Sequence, residues 1–255
     1  MTATREIASR TFLGVRVHNV SGAETMGLLD AFVQEGGPHH VVTVNPEFVM
    51  EAQGVPEFRG ILNNAHLALP DGVGLLLAAR IQGAPMKERV TGVDTVVGAA
   101  ALAARKGYRL FLLGAAPGVA EETARRLQQA NPGLEIAGTY GGSPAPEEED
   151  EIVARIAAAA PDMLFVAYGA PGQDIWIARN LHRLNVPVAM GVGGAFDFIA
   201  GRTKRAPRWM QRAGLEWLYR LVREPWRWRR MLALPRFLIR VVAERVSGRA
   251  EGSQA

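Results

Sequence analysis

The sequence predicts an α/β protein: a Rossmann-like, largely parallel sheet flanked by helices, followed by a basic helical C-terminal appendage. Short apolar runs alternate with segments of helical spacing as far as residue 200, and glycine- or proline-containing turns separate them. Parallel strands need crossover connections, so this alternation selects a parallel sheet covered by helices. Residues 202–246 then hold thirteen Lys/Arg and three Asp/Glu, a net of +10, against −6 for the rest of a chain whose total is +4. The expected division is a core over 1–200, an appendage over 201–246, and a disordered polar end over 247–255.

The elements follow in order. TFLGVRV (11–17) reads as an opening strand, and Met26, Leu29 and Val33 give helical spacing from Ser21, a candidate N-cap. VVTVN (41–45) is a short buried strand running into NPEFV, where Pro46 disfavours helical geometry at Asn45 and suits the first turn of a helix. HLALPDG (66–72) repeats the arrangement ahead of the helical GVGLLLAARI. A helix from Thr91 is stopped by Gly107; YRLFLLG, the GAAPG turn and a further helix come next, then the strand LEIAGTY. Glu147 to Asp150 suit the first turn of the helix that follows, where acids favour the helix dipole. MLFVAYG and VPVAMG are the last strands, each followed by a glycine-rich turn and a helix.

The appendage is helical in composition and interrupted by Pro225 and Pro235. Met210, Ala213, Trp217 and Leu221 form an apolar stripe, and four of the five tryptophans lie in this segment. Cationic, Trp-containing amphipathic helices suit a membrane interface, although a charged helical tail packed on its own domain fits the composition equally well.

Composition removes several chemistries. The chain has no cysteine, which excludes disulfides, zinc thiolates and a cysteine nucleophile. The N-terminus lacks a secretory pattern, and no run approaches the ~18 apolar residues that span a bilayer, so a soluble or peripheral protein is expected. HExxH, GxSxG, a P-loop and an Asp-x-Asp pair are absent, and the five histidines look scattered, with His39 and His40 in a loop.

Ligands of parallel sheets bind beyond the carboxyl ends of the strands. Thr43, Asn45, Asp71, Gln173 and the glycine turns are therefore expected to converge on one cleft. Asp71 reads either as a helix cap or as a general base, and Arg89 either as a solvated charge or as a guanidinium for diphosphate oxygens.

TVNPEFV (43–49), LPDGVGL (69–75), ERVTGVD (88–94), YGAPGQDIWI (168–177), GVGGAFDFIAG (191–201) and RAPRWMQRAGLEWLYRLVREPWRWRRM (205–231) together resemble the WecG/TagA/CpsF glycosyltransferase family over about residues 10–245. The resemblance implies inverting, metal-independent transfer of an N-acetylmannosamine-type sugar from a UDP donor to undecaprenyl-diphosphate-linked N-acetylglucosamine, in surface polysaccharide synthesis. It implies Asp71 as base, Thr43, Asn45, Gln173 and Arg89 as pocket residues, and Arg220, Arg227 and Arg230 as arginines of an appendage that covers the site and meets the membrane. No cofactor and no nucleic acid are expected; an anionic cytoplasmic membrane surface is, with self-association left open. Two other readings stand beside it. One is an NAD(P)-dependent oxidoreductase, since Glu135 follows the GAAPG turn by the ~20 residues of a dinucleotide site. The other is a non-catalytic protein whose basic tail grips nucleic acid or membrane.

Overall fold

Alternating residues of each strand point to opposite faces, and here both faces are apolar, which commits the sheet to the interior. Val41, Leu67, Leu69, Leu110, Leu112, Phe165 and Met190 face one side and Val42, Val44, Leu113, Leu164, Val166 and Ala189 the other, all of them buried. The computed structural model describes residues 7–252, with the side chains of 208, 212, 227, 229 and 248–252 left outside that description.

The chain opens with a hairpin, β1 (Ser9–Phe12) and β2 (Val15–His18), where the sequence suggests one strand. Leu13 and Gly14 turn it with φ of 48° and 79°, the backbone of a two-residue primed turn without its usual Asn-Gly signature. Helix α1 (Gly22–Glu35) starts on a capping box in which the Ser21 hydroxyl accepts from Glu24 N and the Glu24 carboxylate accepts from Ser21 N. There follow β3 (His39–Val44), α2 (Pro46–Gly54), α3 (Pro56–Asn64), β4 (Leu67–Pro70), α4 (Val73–Ile81) and α5 (Gly92–Lys106). Then come β5 (Arg109–Gly114), α6 (Val119–Ala130), β6 (Glu135–Tyr140), α7 (Pro146–Ala159), β7 (Met163–Ala167), α8 (Gly172–Leu184), β8 (Val188–Gly191) and α9 (Ala195–Ile199).

The strands β3 to β8 form a six-stranded sheet in the order β4-β3-β8-β7-β5-β6, with every pairing parallel. Helices α1, α5, α6 and α9 cover one face; α2, α3, α4, α7 and α8 cover the other. The expected α/β fold is present, and all six carboxyl ends lie along one edge of the layer.

The basic segment forms α10 (Arg208–Arg212), α11 (Glu216–Arg223), a 3-10 turn at Pro225–Arg227, α12 (Trp228–Met231) and α13 (Ala233–Gly252). Pro225 does interrupt the helices, whereas Pro235 sits in the first turn of α13, where its missing N–H costs nothing. Helix α13 lies on α2 and α4, with Phe237 and Val241 fully buried and the Phe237 ring edge-on to Phe12 at 6.1 Å. It extends past 246, and residues 253–255 of the expected polar end lie outside the described residues. Two glycines permit the close approach of tail to core. A Cβ on Gly74 would stand 2.5 Å from both Leu234 and Pro46, and Gly214, at φ 73°, would bring one to 2.6 Å from Val73.

Candidate active site

At the carboxyl end of β3, Asn45 adopts extended backbone and its side-chain oxygen accepts from Phe48 N, capping α2 with Pro46 at the first position. At the carboxyl end of β4, Pro70 leads to Asp71, whose backbone N–H donates to Val44 O at 2.7 Å. That bond ties the two strand ends together and sets Asn45 and Asp71 on one rim. Both line a cavity of about 220 Å³ whose remaining wall is built by Arg89, Thr91 and the tail.

The Asp71 carboxylate accepts a long hydrogen bond from Gly92 N, 3.4 Å, at the start of α5. Burial pushes its pKa up to about 6; the Arg89 guanidinium opposes that shift, and the carboxylates of Glu216 and Asp94 add to it. A carboxyl group so placed is ionised at neutral pH yet basic enough to take a proton from a hydroxyl.

The tail roofs this cavity. Gly214, Glu216, Trp217 and Arg220 come from α11 and the turn before it, and Arg230, Met231, Ala233 and Leu234 from α12 and the start of α13. Glu216 is held between two guanidiniums, accepting from Arg89 Nη1 and from Arg205 Nε, each at 3.1 Å. Arg205 also donates to Asp94 at 2.6 Å. Burial works to raise the Asp94 carboxyl, but hydrogen bonds from Arg205 and Thr91 carry it below its ordinary value. Arg230 pairs with Glu47 at 2.5 Å, and the Arg220 guanidinium stands 5.0 Å over the Phe198 ring and 3.9 Å from Glu224.

Of the residues singled out in the sequence, Asn45, Asp71, Arg89, Arg220 and Arg230 surround the cavity. Thr43 and Gln173 lie behind it. Thr43 is buried under α5, its hydroxyl 3.4 Å from Gly191 O and its methyl against the position a Gly92 Cβ would take. Gln173, also buried, receives Gly169 N and Gly193 N on its amide oxygen at 3.2 and 2.9 Å, joining the turns after β7 and β8. The side chain of Arg227 lies outside the described residues. Glu47, Arg205 and Glu216 line the cavity without having been singled out, as does Trp217, read only as part of an apolar stripe; the one signal for Glu216 is an acid inside a strongly basic stretch.

Three of the five histidines come together. His39 and His40 open β3 rather than a loop, the His39 ring meets His66 at 5.0 Å, and His40 N donates to His66 Nδ1. His40 Nε2 is 3.7 Å from the buried Asp174 carboxylate. This group sits toward the amino ends of the strands, away from the cavity, and among the described residues no cluster of three or more His, Asp or Glu side chains could hold a metal ion. Glu135, expected at a ribose in the dinucleotide reading, begins edge strand β6, largely exposed and 3.8 Å from Arg109. It occupies the amino end of its strand, opposite the end at which such an acid would serve.

The strand ends of this parallel α/β sheet thus carry a buried carboxyl of raised pKa beside arginines, an arrangement suited to proton transfer next to a bound anion. The family model described as "Glycosyl transferase WecG/TagA/CpsF family" matches residues 10–251, and the chain belongs to that family: it is a glycosyltransferase. It is similar to N-acetylglucosaminyldiphosphoundecaprenol N-acetyl-beta-D-mannosaminyltransferases of three species. That of Bacillus spizizenii is 40% identical over 82% of this chain and 81% of the relative. That of Bacillus subtilis is 36% identical over 80% and 79%. That of Staphylococcus aureus is 29% identical over 90% of each.

Proposed function

We propose that the enzyme transfers an N-acetylmannosamine-type sugar from a UDP donor to N-acetylglucosamine on undecaprenyl diphosphate, by one inverting displacement without a metal ion. The acceptor hydroxyl attacks the anomeric carbon, its proton passes to Asp71, and the bond from that carbon to the diphosphate oxygen breaks on the opposite face. Asp71, ionised near neutrality on the wall of a cavity roofed by the tail, is the observation that carries this reading. The relatives' names supply the sugar and the lipid-linked acceptor.

In this mechanism Asn45 orients a sugar or acceptor hydroxyl, while Arg89, Arg220 and Arg230 face phosphate and stabilise the leaving UDP, the task a divalent cation performs elsewhere. Thr43 and Gln173 act one layer back by fixing α5 and the glycine turns. The tail meets an anionic membrane: Trp209, Val222, Trp226 and Trp228 are more than half exposed on a segment of net positive charge. No helix among the described residues is long and apolar enough to cross the bilayer.

The test is release of UDP from UDP-N-acetylmannosamine on addition of lipid-diphosphate-linked N-acetylglucosamine, with and without EDTA. Acceptor-dependent release that EDTA leaves intact is the expected result. Release abolished by EDTA and restored by a divalent cation would overturn metal independence, and no release would overturn this donor and acceptor pair.

A further inference from the structure

Every strong positive charge described around the cavity is already answered by a carboxylate of the same chain, and one of these carboxylates has unusual company. Glu216 places one oxygen on each of two guanidiniums, Arg89 from the loop before α5 and Arg205 from the segment leading to α10. All three side chains are mostly buried, at 15% exposed for Glu216, 19% for Arg89 and 22% for Arg205. An anion with oxygens divided between two convergent guanidiniums is the geometry in which arginines hold a phosphate. The same carboxylate stands close enough to Asp71 to act on its charge.

We infer that Arg89 and Arg205 form a diphosphate subsite and that Glu216 fills it as an internal stand-in, displaced when the phosphates of a substrate arrive. Assigning the phosphates to a sugar nucleotide or a lipid diphosphate rests on the transferase reading above; the anion site itself does not. Displacement exchanges one carboxylate charge for at least two phosphate charges on the same donors, so a phosphate-bearing ligand wins where a neutral sugar does not. It also removes one ion pair that fastens α11 to the core, because Glu216 belongs to α11 and Arg89 does not. Ligand entry thereby loosens the roof. Without a ligand the carboxylate keeps two mostly buried cations paired, and leaving them unpaired would be costly.

Inorganic pyrophosphate, with UDP in parallel, is the probe, titrated calorimetrically into the full-length wild type, Glu216→Gln and Arg205→Gln. Removing the internal competitor is expected to tighten pyrophosphate roughly tenfold in Glu216→Gln, and removing a donor to weaken it by a similar factor in Arg205→Gln. Unchanged or weaker binding by a folded Glu216→Gln protein overturns the inference. Should that variant not fold, amide exchange in the wild type decides: saturating pyrophosphate is expected to speed exchange across 216–223, and unaltered exchange there overturns the stand-in. Pyrophosphate that responds to Glu216→Gln without sugar transfer would leave the subsite standing and remove the transferase mechanism; transfer with pyrophosphate indifferent to Glu216→Gln would do the reverse.

Discussion

In the proposed mechanism Asp71 serves both the chemistry and the fold, and they pull in opposite directions. Its carboxyl ionises at about 6 in the folded protein against an ordinary 3.8, so between those values the folded state holds a proton that the unfolded chain has lost. Stability from this group is therefore greatest below about 3.8 and declines as pH rises through 6, while the basic form needed for proton abstraction appears over that same upper range. Turnover should accordingly fall on the acid side with an apparent pKa near 6, measured as initial rate against pH. Asp71→Asn should abolish that limb together with most turnover, yet stabilise the protein at pH 7.5 by roughly 1–2 kcal/mol, the full shift being discounted because the carboxyl opens onto the cavity. Thermal melts of both proteins at pH 7.5 and pH 4 check it, the gap closing at the lower pH. Asp71 and Asn45 were legible in the sequence because a strand end followed by a helix start fixes where such residues must lie, whereas Arg89's place in the pocket entered through the family resemblance. The pairing of Glu216 with Arg89 was not, since it joins residues 127 positions apart and depends on how the tail folds back.

Among the elements, α13 has the most to say about the boundary between core and appendage. Phe237 and Val241 are both fully buried, the first against Phe12 of the hairpin. Composition alone cannot tell a helix that lies on a membrane from one that lies on its own sheet-covering layer, because both need one apolar face. Phe237→Ala should cost about 3–5 kcal/mol of stability, read from urea denaturation, the range for an aromatic side chain deleted from a packed interior. A cost near zero would mean that α13 is only loosely applied. The hairpin and α3 escaped the sequence reading for local reasons. Leu13 is an unusual residue for positive φ, and α3 begins two residues after α2 ends, behind a second proline that reads as a break but opens a helix.

Across the whole molecule, charge is divided between an acidic body and a basic tail, and the tail presents Trp209, Trp226, Trp228 and Val222 outward while its inner surface, Trp217 included, lines the cavity. Flotation with liposomes should show binding that requires anionic lipid and weakens as salt rises from 0.05 to 0.5 M, values set about the range where the Debye length falls below ~10 Å. Binding indifferent to both would leave the exposed aromatics to some other partner. The roof itself, from about residue 204 to 232, is a strap fastened at each end: to α9 on one side, and on the other to α13, which is sunk between α2 and α4. Lifting it is the opening of a loop and never a departure, so its return is a first-order process whose speed owes nothing to protein concentration, with the strap kept at an effective concentration on the order of millimolar over its own cleft. The enzyme thus carries its roof within reach at any dilution.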